Sequence, residues 1–117
     1  MAEKSKRKNR MAELVQSIIA RLLQKEINDP RLRMITITGV DISPDGKNAI
    51  VFYSLLDPTE ENIKQAQTAF EKANGFLRLQ LSRLTELRHT PKLIFKYDAS
   101  LITGERVSNL LKEVDGE

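Results

Sequence analysis

Apolar residues at Met11, Leu14, Val15, Ile18, Ile19, Leu22, Leu23 and Ile27 recur with a 3.6-residue period, and Glu13, Gln16, Ser17, Arg21, Gln24 and Lys25 fill the other side. This pattern predicts an amphipathic helix that stops near Asn28, because Pro30 disfavours helical geometry at Asp29. Residues 34–43 alternate as a strand with a defect. Ile35 and Ile37 share one parity and Val40 and Ile42 the other, so a β-bulge at Gly39 would restore a common apolar face. Ser43-Pro44-Asp45-Gly46 is a turn, with proline pre-setting φ and glycine accepting a positive one. The return strand over 48–56 carries apolar residues on both faces; Ala49, Val51, Tyr53 and Leu55 are the preferred inward set.

Asp57-Pro58-Thr59-Glu60 predicts a helix start, with Asp57 as cap, Pro58 at the first helical position and Glu60 completing a capping box. Ile63, Ala66, Phe70 and Ala73 then share one face, and beyond Gly75 so do Leu77, Leu81 and Leu84. Ala73-Asn74-Gly75 between them predicts a break. Glycine costs about 1 kcal/mol relative to alanine in a helix interior, and asparagine is itself a weak helix former. Such a pair kinks helices and leaves room for another backbone to approach; the plainer reading is a two-helix corner. Arg78, Ser82 and Thr85 fall opposite the core, and Leu79 lies off the apolar stripe. A third strand over 92–98 alternates Leu93, Phe95 and Tyr97 with Lys96, and residues 100–114 read as a short terminal helix.

The predicted order is α-β-β-α-α-β. Strands one and two form a hairpin, and strand three can join only through a crossover. An α+β domain follows, with a three-stranded mixed sheet covered on one face by helices that include a kinked pair. It occupies residues 10–114, between a mobile basic arm at 1–9 and a short tail at 115–117.

Length and composition narrow the class. At 117 residues the chain makes one domain, and its 40% apolar and 30% charged content is that of a globular protein. With no cysteine there is no disulfide or thiol chemistry. No apolar run approaches the roughly 18 residues of a membrane span, and a soluble intracellular protein is expected. The net charge of +3 is unevenly spread. Lys4, Lys6, Arg7, Lys8 and Arg10 stand against Glu3 in the arm; Lys72, Arg78, Arg83, Arg88, Lys92 and Lys96 stand against Glu86 alone. Two such clusters suit a polyanion, although a solvated tail and helix face have the same composition.

Catalytic signatures are missing. One histidine and no cysteine cannot make a Cys/His pair or a Cys-rich zinc site. His89 reads as a loop residue or part of the basic surface, Glu60 and Glu61 as helix-dipole partners, and Asp41, Asp45 and Asp57 as turn residues. No phosphate-binding glycine loop with its lysine is present. The expectation is a protein that is not an enzyme, with no cofactor, no metal and no small-molecule substrate.

What remains is a helical break bracketed by Lys72 and Arg78, a plausible clamp for a sugar-phosphate backbone. KH domains grip single-stranded RNA with a glycine loop between two helices, and the predicted order is that of their bacterial variant, with Ala73-Asn74-Gly75 in place of the GXXG loop. The 5% aromatic content argues against a stacking platform, so contacts should go mostly to phosphates and to RNA shape.

Over residues 7–111 the sequence resembles the ribosome-binding factor A family. The match is carried by Asp29-Pro30-Arg31-Leu32, Thr36-Ile37-Thr38-Gly39-Val40, Asp45, Ala49, Val51, Ala73-Asn74-Gly75, and Leu87-Arg88-His89-Thr90-Pro91-Lys92-Leu93-Ile94-Phe95 leading to Asp98. In this order and spacing the set is specific. The resemblance implies a KH-like domain in a bacterial, cytoplasmic, monomeric protein. It further implies binding to the free small (30S) ribosomal subunit and its 16S rRNA, assistance to late maturation including 5′-end processing, and a need for the protein in the cold. Carried onto this chain, Lys72, Ala73, Asn74, Gly75 and Arg78 are the first rRNA contacts. Arg31, Arg88 and the arm's Lys6, Arg7, Lys8 and Arg10 are secondary ones. Longer family members have a tail that this chain largely lacks. Two other readings stay open, a general single-stranded RNA-binding module and a protein–protein adaptor using Leu79 and the open sheet face.

Overall fold

In the computed structural model the backbone is described for residues 2–85 and 89–99, with side chains from residue 10 onward. Arg88, the terminal helix expected at 100–114 and the tail at 115–117 lie outside the described residues. The elements run α1 (Ala2–Lys25), α2 (Pro30–Arg33), β1 (Ile35–Ile42), β2 (Asn48–Leu55), α3 (Glu60–Leu84) and β3 (Lys92–Tyr97). The sheet order is β1-β2-β3, with β1 antiparallel and β3 parallel to the central strand. This is the α+β, KH-like architecture with its mixed sheet.

The bulge in β1 does what the parity change requires. Pairing shifts between Ile37 and Gly39, leaving Thr38 as the extra residue. Ile35, Ile37, Val40 and Ile42 thereby lie opposite Leu55, Tyr53, Val51 and Ala49, all on one face. The Thr38 hydroxyl donates to Asp98 at the end of β3, 2.6 Å away. In the hairpin, the Gly46 amide donates to the Ser43 carbonyl and Gly46 takes φ 73°, a left-handed conformation that favours glycine.

Three boundaries depart from the sequence expectation. First, α1 begins at Ala2 rather than Met11, so the backbone expected as an arm is helical. Its residues include alanine, glutamate, lysine and arginine, which are strong helix formers, and nothing before Pro30 interrupts them. Second, Thr59 and not Asp57 caps α3. Its hydroxyl accepts from the Asn62 amide at 3.1 Å, and Pro58 stays outside the helix. Third, the two expected helical stretches run on as one. α3 continues helically for 25 residues through Ala73-Asn74-Gly75. Leu77 and Leu81 beyond the glycine are fully buried, each worth about 1.5–3 kcal/mol, which outweighs the cost of one glycine.

The core lies between the sheet and the two long helices, α1 packing chiefly on β1 and α3 on β3. Val15, Ile19, Leu22 and Leu23 meet Ala49, Val51, Tyr53 and Leu93, together with Ala66, Ala69, Phe70, Leu77 and Leu81. Leu14 and Leu84, on the predicted apolar stripes, are instead exposed. Phe70 stacks on Phe95 with centroids 4.0 Å apart and planes at 8°, and tilts against Tyr53 at 4.9 Å. Gln67 donates to the Tyr53 hydroxyl (2.7 Å) and the Phe95 carbonyl (3.1 Å), so the buried phenol has a partner.

Candidate nucleic-acid interface

Gly75, Arg78, Leu79 and Ser82 lie on the solvent side of α3, because positions three and four apart share a face. With His89 and Thr90 from the approach to β3 they line an open cleft of about 550 Å³. Two hydrogen bonds tie α3 to β3 and to the segment leading into it. The Asn74 side-chain amide donates to the Leu93 carbonyl at 3.0 Å, and an Arg78 guanidinium nitrogen donates to the Thr90 carbonyl at 3.1 Å. Helix and strand are thus pinned on both sides of Gly75.

Gly75 itself has no packing role inside the protein. Among the described residues a Cβ placed there would meet nothing within 4 Å, so the space over it faces outward. Gly75→Ala is therefore expected to raise stability by about 0.5–1 kcal/mol, since it restricts the unfolded chain without a clash. If the cleft admits a sugar-phosphate backbone, the same methyl group should weaken RNA binding. Thermal unfolding and subunit binding measured on one preparation check both signs.

Of the five residues expected to lead the contacts, three present themselves to solvent. Lys72, Gly75 and Arg78 are exposed, and neither cation is ion-paired among the described residues. Arginine carries five N–H donors, and among the described residues only the Thr90 carbonyl takes one from Arg78. Ala73 is half-buried against the core. Asn74 is half-buried and committed to Leu93, which makes it a positioning residue for the cleft.

Arg31 stands elsewhere. Pro30 holds Asp29 in an extended conformation, φ −116° and ψ 115°, from which the carboxylate caps α2 by accepting from the Arg31 amide at 2.9 Å. The same carboxylate takes a two-pronged hydrogen bond from the Arg31 guanidinium, at 3.0 and 2.7 Å. That bond, opposed by partial burial, lowers the Asp29 pKa below its ordinary value, and the Lys72 charge adds a smaller contribution. Arg31 lines a separate hollow of about 330 Å³ with Met34, Leu55 and Leu56. Lys6, Arg7, Lys8 and Arg10 belong to the first half of α1, with Arg10 exposed.

His89, read from the sequence as a loop residue or part of the basic surface, falls on this face, whereas Phe76 carries no signal in the sequence that marks it as a site residue. His89 and Thr90 complete the cleft wall, and Phe76, next to Gly75, is 39% exposed. An i, i+4 spacing from Lys72 would have placed Phe76 on the outer side, although an aromatic in a helix usually reads as core. Among the described residues no group of three or more acids or histidines is arranged to hold a metal, and no helix is long and apolar enough to cross a membrane.

Comparison with known proteins settles the family. The ribosome-binding factor A family model matches residues 7–111. The chain belongs to the ribosome-binding factor A family. The Coxiella burnetii ribosome-binding factor A is 47% identical over 108 residues, covering 92% of this chain and 89% of the relative. That of Natranaerobius thermophilus is 38% identical over 93% of this chain and 82% of its own length. Among solved structures, the crystal structure of ribosome-binding factor A from Thermus thermophilus superimposes with a TM-score of 0.66 at 26% identity, covering 77% of this chain and 94% of the other. A Thermotoga maritima putative ribosome-binding factor A, solved by NMR, gives 0.68 at 29%, over 77% and 85%. A homology model of the Thermus factor fitted into a cryo-EM map of its complex with the 30S subunit gives 0.55 at 27%, over 74% and 93%.

Proposed function

We propose that this ribosome-binding factor A is a non-catalytic assembly factor that binds immature 16S rRNA in the small ribosomal subunit and assists its late maturation and 5′-end processing. Its work is in the cytoplasm, as a monomer, and matters most in the cold. The observation that carries the reading is the outward-facing cleft at Gly75 and Arg78, with Lys72, not ion-paired among the described residues, one helical turn before it. An uncovered glycine admits a polyanionic backbone, and the two cations meet its phosphates. The family's Thermus member in complex with the 30S subunit supports the choice of partner. Lys6, Arg7, Lys8 and Arg10 add charge near the start of α1, Arg88 acts as a further phosphate contact, and Arg31 contributes one only in competition with the Asp29 carboxylate.

Cold dependence has a physical rationale in this scheme. A factor that binds one rRNA conformation better than another shifts their populations by its differential affinity, and this helps most where the RNA rearranges slowly. Co-sedimentation with separated small and large ribosomal subunits at two salt concentrations tests the proposal. Binding selective for the small subunit and weakened by salt is expected. Equal binding to both subunits, or binding indifferent to salt, would remove the basis for an rRNA-directed factor.

A further inference from the structure

We propose that Phe76 stacks against an unpaired base of the RNA whose phosphates the Gly75–Arg78 cleft holds; the proposal rests on the functional reading above. Lys72, Phe76, Leu79 and Arg83 follow one another at i, i+4, i+7 and i+11, and all four are exposed. They form a single outward stripe on α3, about 16 Å long at 1.5 Å per residue. Phe76 is 39% and Leu79 49% exposed, so two apolar side chains stand in solvent with a cation one turn away at either end. Gly75 and Arg78 border the stripe on one side.

The chemistry of this stripe selects its ligand. A protein partner would need an apolar interface core of many residues, from which charged side chains are depleted. Here the apolar surface is two side chains wide and closely bracketed by Lys72 and Arg83. A nucleic-acid strand matches that alternation, because each nucleotide brings a negative phosphate and a flat π-face. Single-stranded loops and bulges splay their bases onto aromatic side chains, whereas bases inside a duplex are already stacked. Leu79 extends the apolar floor beside the ring. One partly exposed aromatic next to a phosphate cleft reads a single unstacked base rather than a run of them, which accords with the low aromatic content.

The test is the affinity of the full chain for purified small subunits, measured for wild type, Phe76→Leu, Phe76→Tyr and Arg78→Ala at two salt concentrations. Phe76→Leu keeps the apolar surface but removes the π-face, and should bind about 5- to 150-fold more weakly. Its salt dependence should equal that of wild type, because no phosphate contact is lost. Phe76→Tyr should bind like wild type. Wild-type affinity in the leucine variant, or loss in the tyrosine variant as large as in the leucine one, would overturn base stacking in favour of a shape-specific or apolar protein contact. A wild-type chain without salt-weakened subunit binding would instead overturn the functional reading, and this inference with it. Because the chain has no tryptophan, Phe76→Trp gives a second readout. Its fluorescence should be quenched by single-stranded RNA of mixed sequence, and RNA binding without quenching would also overturn the inference.

Discussion

Phe70→Ala is expected to lower the stability of the domain by about 3–5 kcal/mol, the range for deleting a buried phenyl ring from a core. The ring is 1% exposed and sits at the centre of the aromatic group that joins α3 to the sheet. It stacks on Phe95 at 4.0 Å and tilts onto Tyr53 at 4.9 Å, so its removal abandons two aromatic contacts as well as apolar burial. Neighbouring Ala66 and Ala69 are too small to fill the space by changing rotamer. A loss of this size is a large fraction of the 5–15 kcal/mol typical of a natural domain. Urea unfolding checks the value. Leu84→Ala serves as a control, since that leucine is 56% exposed and should shift the midpoint little.

Arg78→Ala should weaken small-subunit binding by about 10-fold or more without loss of stability. The estimate follows from the 1.5–3 kcal/mol of a hydrogen bond to a charged group. Arg78 is exposed and lines the cleft, and among the described residues its one intramolecular bond is to the Thr90 carbonyl. That carbonyl borders an open cleft and can turn to water when the guanidinium is removed. The diagnostic is the salt dependence, because losing one phosphate contact should flatten the slope of log K against log salt by about 1. Arg31→Ala should behave differently. Its guanidinium is held by Asp29 at two points, and a phosphate must compete with that carboxylate.

Much of the fold was legible because its signals are local. The change of parity across Gly39 marked the bulge, and Pro44 with Gly46 marked the turn. Alternation placed Ala49, Val51 and Tyr53 inward, where they are fully buried. The continuity of α3 was legible too, but the glycine outweighed it. Ala66, Phe70, Ala73, Leu77 and Leu81 step by three or four residues straight across position 75, a spacing that two separate helices have no reason to keep. Asn74 resisted reading for another reason. Its partner, the Leu93 carbonyl, lies 19 residues away on β3, and no local pattern reports a contact made by folding.

The site divides in the same way. Charge and a lone glycine drew attention to Lys72, Gly75 and Arg78, and the fold exposes all three on one helix. Arg31 looked equivalent in the sequence, yet the Asp29-Pro30-Arg31 geometry turns it into a helix-capping partner. Phe76 is not legible as a site residue, because burial decides whether an aromatic is core or ligand surface, and burial depends on how α3 rolls over the sheet.

An assembly factor of this kind must favour one state of its RNA partner over another, since a ligand with equal affinity for two states shifts neither. The most direct test is the affinity of the wild-type chain for immature and for mature small subunits under one set of salt and temperature conditions. Tighter binding to the immature particle is predicted, by about 5- to 150-fold if the coupling is of ordinary size. Equal affinity for the two particles would contradict it.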